Sequence, residues 1–314
     1  MKSITTANLS MTHPYTHKLS ITVIIPTYNG ENKISNILKA LTKQTHKDFE
    51  VIVAIDGSTD RTQDIVNEFK GLNLKVLTQS NKGRATIRNF GARNAKGNLF
   101  VFFDDDMIPS VDSVKQHYEF HLQNENAILG GDQVENIEAQ KTDIQNYKAW
   151  LTKKWTSKYT DGITRLTIEN LFFTAANCSI PRNVFELLTG FDERLPDVED
   201  FDFACRAIEK NIPVYFDHKN IGIHNDPITC TSYIKRQREY AIGRAKRNKV
   251  NEVEYKKDII HDLKHILYRP FAFHFWVKLI DSDRIQFMPK RIRYKLYNVI
   301  IHSLSVEYPQ IKIQ

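Results

Sequence analysis

Apolar positions along the front of the chain fall into two alternating rhythms. Short runs, Ile21-Thr22-Val23-Ile24-Ile25, Val51-Ile52-Val53-Ala54-Ile55, Leu74-Lys75-Val76-Leu77 and Asn98-Leu99-Phe100-Val101-Phe102-Phe103, have the length and side-chain types of buried strands. Between the first two, Ile34, Ile37, Leu38 and Leu41 recur at i, i+3, i+4 and i+7, one face of a helix. Ile65, Val66 and Phe69 mark a second helix, which Ser58, Thr59 or Asp60 can cap, and a third runs over residues 84–94. Strand and helix in regular alternation predict a parallel sheet with right-handed crossovers.

In such sheets ligands sit outside the carboxyl ends of the strands. The polar clusters fall there: Thr27-Tyr28-Asn29 after the first strand, Asp56 after the second, Asp104-Asp105-Asp106 after the fourth. Arg84 and Arg88 open the helix after the third. Three adjacent carboxylates at the end of a buried strand must take up protons or meet a cation. If the segment is extended, Asp104 and Asp106 point one way and Asp105 the other, which suits a hard divalent ion holding a phosphate. An Asp-rich turn, favoured because Asp bonds its own backbone, is the competing reading. Four polar strand ends on one edge favour a nucleotide site. The chain has neither G-x-G-x-x-G after its first strand nor G-x-x-x-x-G-K-[ST] anywhere, which disfavours a dinucleotide fold and a P-loop.

Beyond residue 110 the alternation loosens. Val111, Val114, Tyr118 and Leu122 mark a helix; 127–134 reads as a strand, 147–158 as a helix, and 171–180 as a strand with a polar interruption. A helix from Asn183 leads to Gly190-Phe191-Asp192-Glu193, and Glu199-Asp200 opens another. Acids in a first turn usually complement the helix dipole. That explains one of Asp197, Glu199, Asp200 and Asp202 better than all four.

Charge divides the chain. Residues 231–314 hold 18 Lys and Arg against 8 Asp and Glu, a net of +10, and residues 1–230 hold 26 against 29, a net of −3. A basic C-terminal part favours an acidic surface such as membrane lipid, nucleic acid or a polyanionic substrate. No nucleic-acid recognition motif accompanies the charge, so nucleic acid is not an expected partner. Cys178, Cys205 and Cys230 are far apart, which fits a reducing compartment and argues against a structural zinc. The polar first twenty residues read as a short flexible arm. No apolar run approaches the ~18–20 residues a spanning helix needs. The expectation is a cytoplasmic protein, peripheral at the inner face of the cell membrane.

Taken in order, Ile24-Ile25-Pro26-Thr27-Tyr28-Asn29, Asp56-Gly57-Ser58-Thr59-Asp60, Asn81-Lys82-Gly83, Arg88-Asn89-Phe90-Gly91-Ala92, Phe102-Phe103-Asp104-Asp105-Asp106, Ala176-Asn177, Gly190-Phe191-Asp192-Glu193 and Glu199-Asp200-Phe201-Asp202-Phe203 resemble inverting glycosyltransferases of family two. The resemblance covers residues 21–226. It implies the GT-A fold: α/β, with a Rossmann-like, mostly parallel central sheet flanked by helices. Together with the composition of the two ends, it divides the chain into an arm (1–20), a catalytic domain (21–228) and a helical basic C-terminal extension (229–314). It implies Thr27, Tyr28 and Asn29 as the base-contacting turn, and Asp56 as acceptor for a base or ribose hydrogen. Arg88 would reach the nucleotide phosphates, with Lys82 and Arg84 nearby. Asp104-x-Asp106 would be the metal motif for Mn2+ or Mg2+, Asp105 a ribose or sugar contact, and His224 a further metal ligand. Asp200 would be the general base, with Glu199 and Asn177 at the acceptor.

These residue types suit transfer of a sugar from a nucleotide-sugar, preferably a UDP-sugar, to a hydroxyl of a glycan or lipid-linked acceptor in surface polysaccharide or oligosaccharide biosynthesis. Single displacement needs a carboxylate opposite the leaving group. A sugar-phosphate nucleotidyltransferase would want a Gly-rich basic turn where Thr27-Tyr28-Asn29-Gly30 stands. A catalytically dead, polyanion- or membrane-binding protein on the same scaffold is the non-enzyme alternative. The basic and aromatic mixture at 233–247, 265–277 and 290–296 has the composition of interfacial helices, and an anionic membrane surface is the expected partner of 231–314.

Overall fold

The computed structural model describes residues 19–159, 162–250 and 265–313. Nearly all of the expected N-terminal arm, and residues 251–264 of the basic extension, lie outside them.

The front alternates as its pattern requires: β1 (Ile21–Thr27), α1 (Ile34–Thr42), β2 (Phe49–Asp56), α2 (Thr62–Glu68), β3 (Leu74–Gln79), α3 (Arg84–Arg93) and β4 (Leu99–Phe103). All four strands are mutually parallel, with β1 between β2 and β4 and β3 outside β2. Cover on both faces explains the continuous apolar run of β4 and of residues 51–55 in β2, whereas β3, at the end of the strand order, leaves Lys75 and Thr78 exposed. Val23, Ile25, Val101 and Phe103 face the core under α1 and α2, and Ile24, Phe100 and Phe102 face the opposite core.

Past β4 the chain makes β5 (Met107–Pro109), α4 (Ser113–Gln123), β6 (Ile128–Glu135), α5 (Asp143–Thr156), β7 (Ile163–Arg165), β8 (Asn177–Pro181), α6 (Arg182–Leu187), α7 (Glu199–Glu209) and β9 (Val214–His224). Among the described residues the sheet has nine strands, in the order β3-β2-β1-β4-β8-β6-β9-β5, with β7 on β9. Strand β8 is antiparallel to both β4 and β6, and β6 is parallel to β9.

One expectation changes here, and one strand was not expected. The strand expected over 171–180 begins only at Asn177. Side chains take the backbone donors just before it: Ala175 N–H donates to Asp200 and Ala176 N–H to the Thr174 hydroxyl. Strand β9 was not legible, because a bulge interrupts it. Gly131 pairs with Asp217 but Asp132 with Ile221, so the polar stretch between breaks the alternation.

Helix α8 (Cys230–Val250) follows β9, and then α9 (His274–Asp281) and α10 (Lys290–His302). Ile144 and Tyr147 of α5 share one buried cluster with Tyr233, Ile234, Val277, Tyr294 and Tyr297. Buried Asp143 accepts from Arg293 Nε (2.5 Å), Arg293 Nη2 (2.8 Å) and Tyr297 OH (2.8 Å). A helix from the middle of the chain thus ties the C-terminal helices to the sheet. Among the described residues no helix is long and apolar enough to cross a membrane.

Candidate active site

The first two strand ends are stitched together. Asn29 N–H donates to Ser58 Oγ (3.0 Å), and Asn29 Oδ1 accepts from Thr59 N–H (2.9 Å). Asn29 is left-handed at φ 50°, a conformation its short polar side chain tolerates. Thr27 is buried, whereas the Tyr28 ring is 53% exposed at the rim, where a flat ligand can lie against it. Asp56 is buried and accepts from Gln79 Nε2 (2.8 Å), Lys82 N–H (2.9 Å) and Gly83 N–H (2.8 Å). It therefore shapes the 81–83 turn, and a base or ribose hydrogen would have to use its remaining acceptor capacity.

The three aspartates form a turn, closed by Met107 N–H donating to Asp104 O at 3.1 Å. The extended geometry that would aim Asp104 and Asp106 together is not adopted, and the three side chains diverge. Asp104 Oδ1 accepts from Arg88 Nη2 at 2.5 Å. Asp105 Oδ2 accepts from the Thr27 hydroxyl at 2.6 Å, and a Cβ on Gly30 would fall 2.6 Å from that same oxygen. Burial, with Asp106 adding its charge, pushes Asp105 up to about 7. Asp106 faces Lys33 Nζ and His224 Nε2, each at 3.5 Å.

Arg88 is buried on α3, and its other terminal nitrogen reaches Glu199 Oε1 at 2.5 Å. Arg88, expected to reach the nucleotide phosphates, is thus a strut between Asp104 and Glu199, with its Nε buried and unpartnered. Burial opposes the Asp104 charge, but the guanidinium overcomes it and holds that carboxyl below its usual range. Asp104 is thereby drawn away from the expected role of metal ligand. Arg84 is likewise engaged, 3.1 Å from Asp197 Oδ2, while the Lys82 side chain is exposed.

Among the described residues, those that can hold a cation are Asp106, His224 and Asp226, whose ligand atoms lie within 4.8 Å of one another. Pairing of β5 with β9 sets Met107 opposite His224, and Asn225 N–H donates to Asp106 O at 3.0 Å. Asp106 Oδ1 is buried without a hydrogen-bond partner, as an oxygen reserved for a cation would be. An oxygen–imidazole–oxygen set fits Mn2+ or Mg2+. The second nitrogen of His224 lies 3.2 Å from Lys148 Nζ and 3.3 Å from Glu135 Oε2, and of the two Glu135 is the one that accepts from an imidazole ligating through Nε2. Burial alone would lower His224, but Glu135 and Asp106 leave it raised. Burial also works against Lys33, yet Asp106, Asp105 and Asp226 raise it, so it is the cation this acidic corner already holds. Sequence reasoning missed Asp226 and Lys33. The signals were a carboxylate two residues past His224 and a lysine just after the first turn.

The catalytic candidate stands behind the aspartate turn. Asp200 Oδ2 accepts from Ala175 N–H (3.1 Å), and Asp104 N–H donates to Ala176 O (3.3 Å), so one short strip of backbone joins the two acids. Glu199 is buried, and burial lifts it to about 7 although Arg88 pulls the other way. Asn177 does not join them. Its side chain is 0% exposed, accepts from His117 Nε2 (3.0 Å) and donates to Asp132 O (3.2 Å) and Asn220 O (3.0 Å). This amide is saturated inside the sheet and is not available to an acceptor.

The profile of the family described as Glycosyl transferase family 2 matches residues 22–188. An uncharacterized glycosyltransferase of Bacillus subtilis strain 168, YfnE, is 26% identical over 262 residues, covering 68% of this chain and 67% of its own. The O-antigen chain rhamnosyltransferase RfbN of Salmonella typhimurium strain LT2 is 25% identical over 213 residues, covering 67% and 68%. Among solved structures, the mannosyltransferase PcManGT of Pyrobaculum calidifontis, in complex with GDP-Man and Mn2+, superposes with a TM-score of 0.61 at 16% identity over 95% of this chain and 89% of its own. Residues 1–349 of S. aureus TarS, in complex with UDP, superpose with a TM-score of 0.55 at 18% identity over 93% and 91%. These likenesses establish the GT-A fold.

Proposed function

Because the chain belongs to glycosyl transferase family 2, we propose that this glycosyltransferase is inverting and metal-dependent, moving a sugar from a nucleoside-diphosphate donor, preferably a UDP-sugar, to a hydroxyl of a glycan or lipid-linked acceptor. Membership of the family sets the nucleotidyltransferase reading aside. One observation carries the proposal: Asp200 is joined through residues 175–176 and the Arg88 strut to the same turn that presents Asp106 to His224 and Asp226.

Thr27, Tyr28, Asn29 and Asp56 form the nucleotide end of the site, with the exposed Tyr28 ring against the base. Asp106, His224 and Asp226 hold the divalent cation, which when bound neutralises charge on the leaving diphosphate as a Lewis acid. Arg88 keeps Asp104 ionised and in place, and Asp105, anchored by Thr27, faces the ribose or sugar. Asp200 accepts the proton of the attacking hydroxyl, and Glu199 beside it lines the acceptor side. General-base assistance of this kind is worth ~10²–10⁴-fold.

The acceptor belongs to surface polysaccharide or oligosaccharide synthesis in this reading, and the name of the Salmonella relative supports that class. The basic C-terminal part (229–314) would bring the enzyme to an anionic membrane surface, on its cytoplasmic side. Exposed Ile266, Leu267, Phe273, Phe275 and Phe287 beside exposed Lys278, Lys290 and Arg291 support this, and vesicle sedimentation tests it.

The decisive assay is UDP release from a panel of UDP-sugars, with and without Mn2+. Release should need the metal, and Asp200→Asn should lose turnover by ~10²–10⁴-fold while calorimetric UDP–Mn2+ affinity is kept. Near-normal turnover in Asp200→Asn would remove it as the base. Release that ignores chelation would remove the metal from the proposal, and no release from any donor favours the dead-scaffold alternative.

A further inference from the structure

Helix α8 begins at Cys230, beyond the residues that match the family profile, yet it lies against the segment that leads into Asp200. The approach is close. A Cβ on Gly243 would fall 2.9 Å from Asp197 Cβ and 3.0 Å from Asp197 O, so only glycine lets the two backbones pass. Arg236 of α8 pairs with Asp197 Oδ2, the oxygen that Arg84 of α3 reaches at 3.1 Å. One turn onward, Tyr240 lies under the Arg236 guanidinium at 4.1 Å. Arg247 Nε meets Asp202 Oδ1 at 3.0 Å, with its guanidinium 5.3 Å from the Phe201 ring.

What these contacts hold is strained. Asp197 is buried and its Oδ1 accepts from Val198 N–H at 2.7 Å. Val198 is left-handed at φ 60° and ψ 19°, a conformation that a β-branched residue adopts only when its surroundings impose it. Glu199 and Asp200 follow immediately, as the first turn of α7. Residues 197–202 are therefore gripped by Arg84 and Arg88 from α3 and by Arg236, Gly243 and Arg247 from α8.

We propose that α8 is a positioning element of the active site: Arg236 and Gly243 clamp Asp197, and through the strained Val198 they set the aim of Glu199 and Asp200. The basic character of this helix is spent in part on the enzyme's own acidic segment. The inference rests on the reading of Asp200 as the base. Arg236 and Gly243 touch no reacting atom in it, and they act through Asp197. Misaiming a general base by an ångström costs about 10²-fold in turnover.

The test uses the full chain. Arg236→Gln removes the charge from Asp197, Gly243→Ala pushes the helix off it, and Arg236→Lys keeps a charge without the planar fork. For UDP release from the donor found in the panel, Arg236→Gln and Gly243→Ala should lower kcat by about 10²-fold with the donor KM and the UDP–Mn2+ affinity little changed. Arg236→Lys should recover part of the loss. Hydrogen exchange of a peptide spanning 195–203 should quicken in the first two variants while peptides from β1 to β4 stay as in the parent. Unchanged exchange over 195–203 in both variants overturns the clamp, as does a kcat loss matched by lost UDP–Mn2+ affinity or an Arg236→Lys variant no better than Arg236→Gln. If the parent releases no UDP from any donor, the transferase reading fails and the exchange experiment alone decides the clamp.

Discussion

His117 and His121 show how a single residue's surroundings set its chemistry. Both are buried, and His117 Nδ1 and His121 Nε2 each lie 2.8 Å from Ser179 Oγ. Asn177 donates to two carbonyls, so its Oδ1 must accept from His117 Nε2. His117 Nδ1 then accepts the Ser179 proton, and the Ser179 oxygen accepts from His121 Nε2. Both imidazoles are neutral in this chain of bonds. Burial lowers His117 to about 4, and burial aided by the His117 charge lowers His121 to about 3. The unfolded chain takes up protons near the ordinary value of 6.5, and the folded one does not until far lower. The stability these residues contribute is therefore present above pH 6.5 and is lost as pH falls toward 4. Urea unfolding at pH 7 and pH 5 should differ by about 1–2 kcal/mol per histidine, and His121→Gln should flatten the dependence. A parent slope no steeper than the variant's would contradict the neutral pair. The sequence shows two histidines on one helix four residues apart, but not that Ser179 and Asn177, some sixty residues on, would face them.

Elements are set by how closely their backbones approach. Gly91 lies on α3 one turn after Arg88, and a Cβ there would stand 2.6 Å from Cγ2 of Ile24, which is fully buried in β1. Alanine would gain about 1 kcal/mol of helix propensity. It must also be forced against a rigid β-branched side chain in the sheet, and overpacking of that kind costs about 1–3 kcal/mol. The clash wins because Ile24 has nowhere to move. Gly91→Ala should lower the urea midpoint and, by shifting Arg88, weaken UDP–Mn2+ binding; an unchanged or higher midpoint would show that α3 can slide freely. Helices α1 and α2 were legible because each shows a periodic apolar face between strands, and α3 because the 81–83 turn opens it, although its buried face carries Arg88 and Asn89. Strand β9 was not, since its bulge breaks the pattern, and the start of β8 was not, since Asp200 takes over a ladder donor.

At the scale of the molecule, the basic C-terminal part serves two ends. Arg236, Arg247 and Arg293 turn inward to Asp197, Asp202 and Asp143. Lys278, Arg284, Lys290, Arg291 and Lys295 stay exposed, beside Phe273, Phe275 and Phe287, the last 84% exposed. Outward cations with exposed aromatics suit an anionic bilayer surface, each cation near it adding about 1 kcal/mol at low salt. The full chain should sediment with phosphatidylserine-containing vesicles, less so as salt rises. Phe275→Ser with Phe287→Ser should weaken sedimentation without changing UDP–Mn2+ binding. No pelleting of the parent would end the membrane proposal. The domain division is better proposed as a sheet domain and a C-terminal helical body that share α5, because Ile144 and Tyr147 complete the core of the latter.

The sequence by itself determined the α/β alternation, the strand ends that carry the ligand groups, and the identity of the acids, because periodicity and turn chemistry are local. Only the tertiary structure decided how those acids are used. The Asp104-Asp105-Asp106 turn hands its side chains to Arg88, Thr27 and His224 respectively. Asp226 and Lys33 join the cation corner, and Asn177 leaves the site. A carboxylate takes its role from the donors and charges around it, and here those come from strands and helices as far along the chain as His224 is from Asp106.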